Sequence, residues 1–158
     1  MSHARRTDRA VGQPVRVVGR AEREYRPTDL REFRPVEQVC VIECASGERT
    51  TACFTGVVVS RLLDSVDVVP ETTHLHLEAR DGYRVYVPIH DALDGLVAYA
   101  RDGRPLVADS PYRTRFVAPG VDGERQVKGL ACVEALGLDA DVAPDSLDNI
   151  TLLDSGFG

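Results

Sequence analysis

The strongest constraint on the fold is a succession of short β-branched and aromatic runs, most of them stopped by turn residues, with one helical period among them. Residues 36–44 (VEQVCVIEC) read as a strand ending at the turn-forming Ala45-Ser46-Gly47-Glu48, and residues 50–54 as a short returning strand. Residues 73–79 (THLHLEA) alternate with period two, Asp81-Gly82 supplies a hairpin turn, and residues 83–87 pair back. Residues 14–19, 96–100, 104–107, 114–118 and 127–136 complete the expected strands, with Asp102-Gly103 as a second hairpin turn. Between them, residues 57–66 place apolar side chains at 58, 59, 62, 63 and 66, a helical spacing for which Thr55 is the expected N-cap. Residues 90–94 suit a single helical turn, and the charged residues 20–34 read as a surface connection. A doubly wound sheet needs regular helices between its strands, so the pattern predicts a β-rich α+β domain.

At 158 residues, 43% hydrophobic, the chain can bury a core as one domain without disulfides. Residues 1–13 lack apolar periodicity and are expected to be a disordered arm; residues 14–158 are expected to form the domain, with the acidic tail from residue 139 draped over it. No apolar stretch approaches the ~20 residues of a membrane span, and charges stand where a signal peptide has its apolar region, so a soluble, cytoplasmic protein without membrane contact is expected.

Charge narrows the partners. The net charge is −6, divided as +4 over residues 1–34 and −10 over residues 35–158. A body this acidic lacks the concentrated basic face that phosphate backbones require, which argues against nucleic acid. Of the 19 basic side chains only Lys128 is a lysine. Abundant acid with almost no lysine fits a salt-adapted, halophilic cytoplasm; a high-GC genome is the alternative.

There is no GxGxxG and no GxxxxGK[ST], so dinucleotide and P-loop chemistry have no support. The cysteines are Cys40, Cys44, Cys53 and Cys132. Cys40 and Cys44 share one face of a regular strand, which allows a structural zinc or iron site with Cys53, although no CxxC pair is present. Taken alone, each cysteine is as readily a small buried core residue. His74 and His76 share a strand face but lack a third ligand by spacing, and read as core-edge or solvent-facing side chains. Arg49 reads as a surface residue that can also attract an oxyanion.

The order of motifs carries more than any one of them. Cys44-Ala45-Ser46-Gly47, Phe54-Thr55-Gly56-Val57 and Leu62-Leu63 are followed by Asp81-Gly82-Tyr83, Pro88-Ile89-His90-Asp91-Ala92-Leu93, Leu96-Val97-Ala98-Tyr99 and Gly103-Arg104-Pro105-Leu106. Pro111, Arg115-Phe116-Val117-Ala118-Pro119-Gly120, Gly123 and Val127-Lys128-Gly129-Leu130 close the series. Over residues 36–136 this succession resembles the sulfite-oxidase-like molybdopterin-binding domain. The resemblance implies mixed sheets with few short helices, and a molybdenum–molybdopterin cofactor to which Cys44 is the thiolate ligand, the soft donor such a metal favours. It ranks Cys53, which immediately precedes the Phe54-Thr55-Gly56 element, as a packing position and second choice.

In that family a Gly-x-x-x-Val-Lys loop holds the pterin phosphate, matched here by residues 123–128. Lys128 would then supply the cation, with Arg125, Gln126 and the backbone near Gly120 and Gly123 assisting and His90 as a further pterin contact. The bland alternative for Lys128 is a solvated surface lysine. The chain departs from the family in having Ala45-Ser46-Gly47 after the cysteine, Asp109-Ser110-Pro111 for Gly-Gly-Pro, Gln126-Val127-Lys128-Gly129 for Ser-Val-Lys-Trp, and no tryptophan.

The implied activity is oxygen-atom transfer on a small-molecule substrate, with electrons leaving to a redox protein partner because no haem or ferredoxin motif is present. The alternative is a degenerate, non-catalytic pterin-binding or structural module of the same fold without molybdenum.

Overall fold

A computed structural model describes residues 14–43 and 46–142, arranged as two five-stranded sheets with short helical turns between strands. The expected arm at 1–13, Cys44 and the tail beyond residue 142 lie outside the described residues. No helix among the described residues is long and apolar enough to cross a membrane.

The first sheet is built from β1 (Val15–Val18), β2 (Glu22–Tyr25), β5 (His74–Ala79), β6 (Arg84–Pro88) and β10 (Leu130–Leu136), in the order β2-β1-β10-β5-β6. It is mixed, because β1 runs parallel to β10 while every other neighbour is antiparallel. The alternation of β5 and β6 buries Leu75, Leu77, Val85 and Val87 on one face and leaves His76 and Tyr86 on the other.

The second sheet orders β3 (Val36–Glu43), β4 (Arg49–Val58), β7 (Leu96–Arg101) and β8 (Arg104–Pro105), with β9 (Arg115–Val117) sharing the free edge of β7. Both faces of β7 are buried. Val97 and Tyr99 join the larger core with the first sheet, whereas Leu96 and Ala98 join a second cluster with Cys40, Ala52, Phe54, Leu106 and Val117.

Two sequence expectations need correction. The helix expected from residue 57 is α2 (Val59–Asp64), and Thr55 lies inside β4 instead of capping it. Pairing of β4 with β7 continues through Val58 opposite Leu96, so cross-strand bonds hold the Val57–Val58 backbone extended. The residues that do turn helical bury Val59, Leu62 and Leu63. The pairing shifts register between Thr55 and Gly56, a bulge beside the glycine. A Cβ on Gly56 would stand 2.2 Å from the Val97 carbonyl oxygen, so only glycine fits there.

The charged connection is the second correction, since it contains β2 and α1 (Pro27–Leu30). The edge strand β2 exposes Glu22, Arg23 and Glu24, which erased the alternation a strand normally shows. Tyr25 anchors it against Phe33, edge-on at 5.4 Å between ring centroids. In α1, Pro27 begins the turn, the Asp29 carboxylate accepts the Arg26 N–H at 2.8 Å, and Leu30 is fully buried. Smaller adjustments follow the same logic: residues 106–109 form a helical turn, α4 (Leu106–Asp109), and β10 begins three residues later than expected because a turn at Gly129 separates it from Lys128.

Candidate functional site

The site grows from the contact between β9 and the segment leading into β10. The Phe116 N–H donates to Val127 O at 2.9 Å and the Gly129 N–H to Thr114 O at 2.8 Å. These bonds bracket a bridge that sets Arg115 directly opposite Lys128. A pair flanked this way is non-hydrogen-bonded, with Cα atoms about 4.5 Å apart and side chains on one face. Two cations are thus placed opposite each other in an acidic protein. Gly129, with φ of +66°, then turns the chain into β10, and the Tyr112 side chain packs against that turn.

Arg115 is 3% exposed. Its Nε donates to Gln126 O at 3.2 Å, and its guanidinium lies 5.9 Å from the centroid of the Phe54 ring, which Arg101 also approaches at 5.8 Å. Cys40 lies in the same cluster. Burial pushes its thiol up, partly opposed by the Arg115 charge, so it stands as a neutral thiol. Lys128 is exposed and has no ion pair among the described residues. Arg113, in the bend before β9, has a buried Nε with no hydrogen-bond partner.

A cleft of about 260 Å³ opens beside Lys128, lined also by Gly123, Gln126, Asp81, Tyr83 and Glu124. The Tyr83 hydroxyl donates to Glu124 O at 2.6 Å and holds the 3-10 turn Gly123–Arg125 against the β5–β6 hairpin. Asp81 is engaged locally, accepting the Tyr83 N–H at 3.0 Å.

Among the sequence candidates, Gly123, Gln126 and Lys128 are brought together at this cleft. Gln126 is turned inward, its Nε2 donating to Val121 O at 2.9 Å and Ala118 O at 3.4 Å, so the amide braces the loop carrying Gly120. Arg125 lies 3.6 Å from Asp122. Gly120 is exposed with φ of +77° and is not part of the cleft lining. His90 is exposed on α3 (Ile89–Ala92), 3.4 Å from Asp91, and also stands outside the cleft lining.

Cys44, the expected metal ligand, lies outside the described residues. The three-cysteine alternative is corrected by the register of β3 and β4. Cys40 faces Ala52 and points into the core, whereas Cys53 faces Val39 on the opposite side of the sheet. Among the described residues no group of three His, Cys, Asp or Glu side chains is placed to hold a metal. His76 stacks on Tyr86 with centroids 4.9 Å apart and has Nδ1 3.6 Å from Glu134, a core-edge role. Arg49 is exposed at the start of β4.

Sequence reading missed Arg115. The available signal was an arginine at the head of Arg115-Phe116-Val117-Ala118, a run otherwise apolar on both faces and hence a buried charge.

Comparison with known proteins agrees with this architecture. No curated protein matches the chain. Among solved structures, it is similar to a chain in the crystal structure of the sulfane dehydrogenase SoxCD from Paracoccus pantotrophus, with a TM-score of 0.72 and 20% identity. That match covers 82% of this chain and 39% of the other, so the chain spans well under half the length of the protein it resembles. At that identity the likeness concerns the fold. The model of the oxidoreductase molybdopterin-binding domain matches residues 13–141, nearly the whole described region. The chain therefore belongs to the oxidoreductase molybdopterin-binding domain family.

Proposed function

We propose that the chain binds a molybdenum–molybdopterin cofactor and serves oxygen-atom transfer on a small substrate, exchanging electrons with a redox protein. The observation that carries this reading is the Arg115–Lys128 pair, whose lysine belongs to the loop that, by resemblance, holds the pterin phosphate.

The residues present fit such a group. Its phosphate needs a cation, and Lys128 offers an exposed one at the cleft with Arg115 opposite it across the bridge. Two carboxylates also line the cleft, Asp81, which accepts the Tyr83 N–H, and Glu124, on the turn held by the Tyr83 hydroxyl. When bound, the cofactor supplies the redox and oxygen-transfer chemistry that no side chain of this protein can perform.

The chain's own part is binding and orientation. Cys44 donates a thiolate to molybdenum. Cys40, kept protonated by burial, does not compete for the metal. Lys128 meets the phosphate as a compact charge, Arg115 deepens the positive potential from beneath, and Gln126 holds the neighbouring loop in register. The interleaved Phe54 and Leu96 cluster keeps water from the buried guanidinium and strengthens its field.

Elemental and pterin analysis of protein made in a molybdenum-competent host tests the reading. Near-stoichiometric molybdenum that disappears in Cys44→Ser is the expected result. Pterin without molybdenum, or neither, overturns it in favour of the non-catalytic module; molybdenum unchanged in Cys44→Ser overturns the ligand assignment.

A further inference from the structure

We infer that the outer edge of β6 is the docking site of the chain's own acidic tail, which pairs there antiparallel within residues 143–150 and so carries residues 151–158 across the mouth of the Lys128 cleft. The pairing stands whether or not the cleft holds a pterin.

β6 closes one side of the first sheet, and no described strand lies beyond it. The Ala79 N–H donates to Tyr83 O at 2.7 Å, which makes Ala79 and Tyr83 a hydrogen-bonded pair at the turn end of the β5–β6 ladder. Bonding alternates along an antiparallel ladder, so Val85 and Val87 turn their backbone groups toward β5, while Arg84 and Tyr86 turn theirs to the outer side. Pro88, the next outward position, has no N–H to place. The Val85 and Val87 side chains are fully buried, so this is an edge with an interior strand's packing. Native folds cover such edges, and a strand added along one bonds through its backbone.

The tail leaves the domain beside this edge. Leu136, at the end of β10, faces His74, and His74 faces Pro88, so the three strand ends share one row. The Leu138 N–H then donates to Thr73 Oγ1 at 2.8 Å, which holds the departing chain against the start of β5. Reaching the outer side of β6 means crossing two strand spacings, ~10 Å, and following β6 back to Arg84 takes ~14 Å more. Residues 142–150 span ~27 Å when extended, which suffices. A segment entering at Pro88 runs against the direction of β6, hence the antiparallel sense. Charge favours the same occupant. Residues 139–158 hold five aspartates and no basic side chain, and Asp145 and Asp148 fall in the stretch that passes Arg84 on the edge and Arg125 on the adjoining 3-10 turn. Beyond Arg84 stands the hairpin whose Asp81 and Tyr83 line the cleft with Lys128. The tail that follows the edge therefore arrives at the cleft, with Leu152, Leu153 and Phe157 to cover it and Asp154 to meet the lysine.

Amide exchange on the full-length, cofactor-free chain tests the pairing. The comparison is with the double variant Ser146→Pro, Leu147→Pro, which removes an N–H facing the edge whichever of the two points that way. The Arg84 and Tyr86 amides are expected to exchange about tenfold faster in the variant, while the Val85 and Val87 amides, bonded to β5, keep the wild-type rate. Equal rates for Arg84 and Tyr86 in the two proteins overturn the inference. Protection that grows with protein concentration also overturns it and assigns the edge to a second copy of the chain. Acetylation of Lys128, the only lysine, followed by mass spectrometry, reads the distal part of the tail. It is expected to run about fivefold faster in the double variant, and an equal rate overturns the closure of the cleft. Should the double variant not fold, Asp145→Arg with Asp148→Arg replaces it, with the same expected and overturning outcomes. Every readout is taken without cofactor, so its failure leaves the cofactor reading standing, and a chain purified without molybdenum or pterin leaves the tail pairing standing.

Discussion

Arg115 and Lys128 stand directly opposite each other across an antiparallel bridge, one buried and the other exposed. Opposed like charges destabilise a sheet unless something else satisfies them. Lys128→Gln should therefore stabilise the cofactor-free protein by roughly 0.2–1 kcal/mol at low salt, with the gain shrinking as salt screens the exposed partner. Chemical denaturation at two ionic strengths measures this, and a loss of stability at low salt would contradict it.

Gly56 leaves room for the β7 backbone where β4 pairs with it. With the Val97 oxygen 2.2 Å from where an added methyl group would stand, Gly56→Ala should cost about 3 kcal/mol or more. Urea unfolding reads the loss; near-wild-type stability would mean that the strands can part more easily than their pairing implies.

Gln126 ties its own strand entry to the loop before it through two amide hydrogen bonds. Gln126→Ala should lower stability by about 1 kcal/mol, since the part-buried Val121 carbonyl loses its side-chain donor while the Ala118 carbonyl keeps the Val121 N–H. Amide exchange in the 120–125 segment should quicken more than in β5 or β6. Uniform quickening would indicate a global effect instead.

Cys40 and Cys132 are both pushed up by burial. A thiol whose pKa is higher folded than unfolded releases its proton first in the unfolded chain. The stability it confers is complete below the unfolded value, near the ordinary 9.0, and declines as pH rises through the higher folded value. Melting temperature should thus fall from about pH 9 upward, and more shallowly in the Cys40→Ala, Cys132→Ala double variant. Parallel profiles would show that other groups govern the alkaline limb.

The Tyr25 hydroxyl donates to Ser65 Oγ at 2.5 Å, and Ser65 in turn to Leu62 O at 2.6 Å, fastening the edge strand β2 to the end of α2. Tyr25→Phe should cost about 1 kcal/mol by breaking this relay. Protease cutting near residues 20–24 should rise in proportion; unchanged cutting would show that the Phe33 contact alone secures the strand.

Most strands were legible because alternation and turn residues are local signals. The Asp81-Gly82 hairpin is the clearest case, with β5 and β6 pairing as its spacing required. β2 was not legible, since an edge strand with three charged side chains carries no period. Nor was the start of α2, where pairing with Leu96, remote in sequence, overrides a helical spacing. At the candidate site, the motif order singled out Gly123, Gln126 and Lys128, which line one cleft, but side-chain direction was not legible. Gln126 bonds inward, His90 faces solvent, and Arg115 became a candidate only through its burial opposite Lys128.

The parallel pairing of β1 with β10 joins residues more than a hundred positions apart, such as Arg16 and Cys132. A growing chain that has already made β1 must wait for almost the entire domain before that strand gains its inner neighbour, and the loop so closed is the longest in the fold. Strain applied along the polypeptide from the two flanks would pull these strands lengthwise in opposite directions. All their cross-strand bonds would then share the load at once instead of opening one by one. The first strand is therefore a late-secured and mechanically resistant clasp, and slow assembly is the counterpart of that resistance.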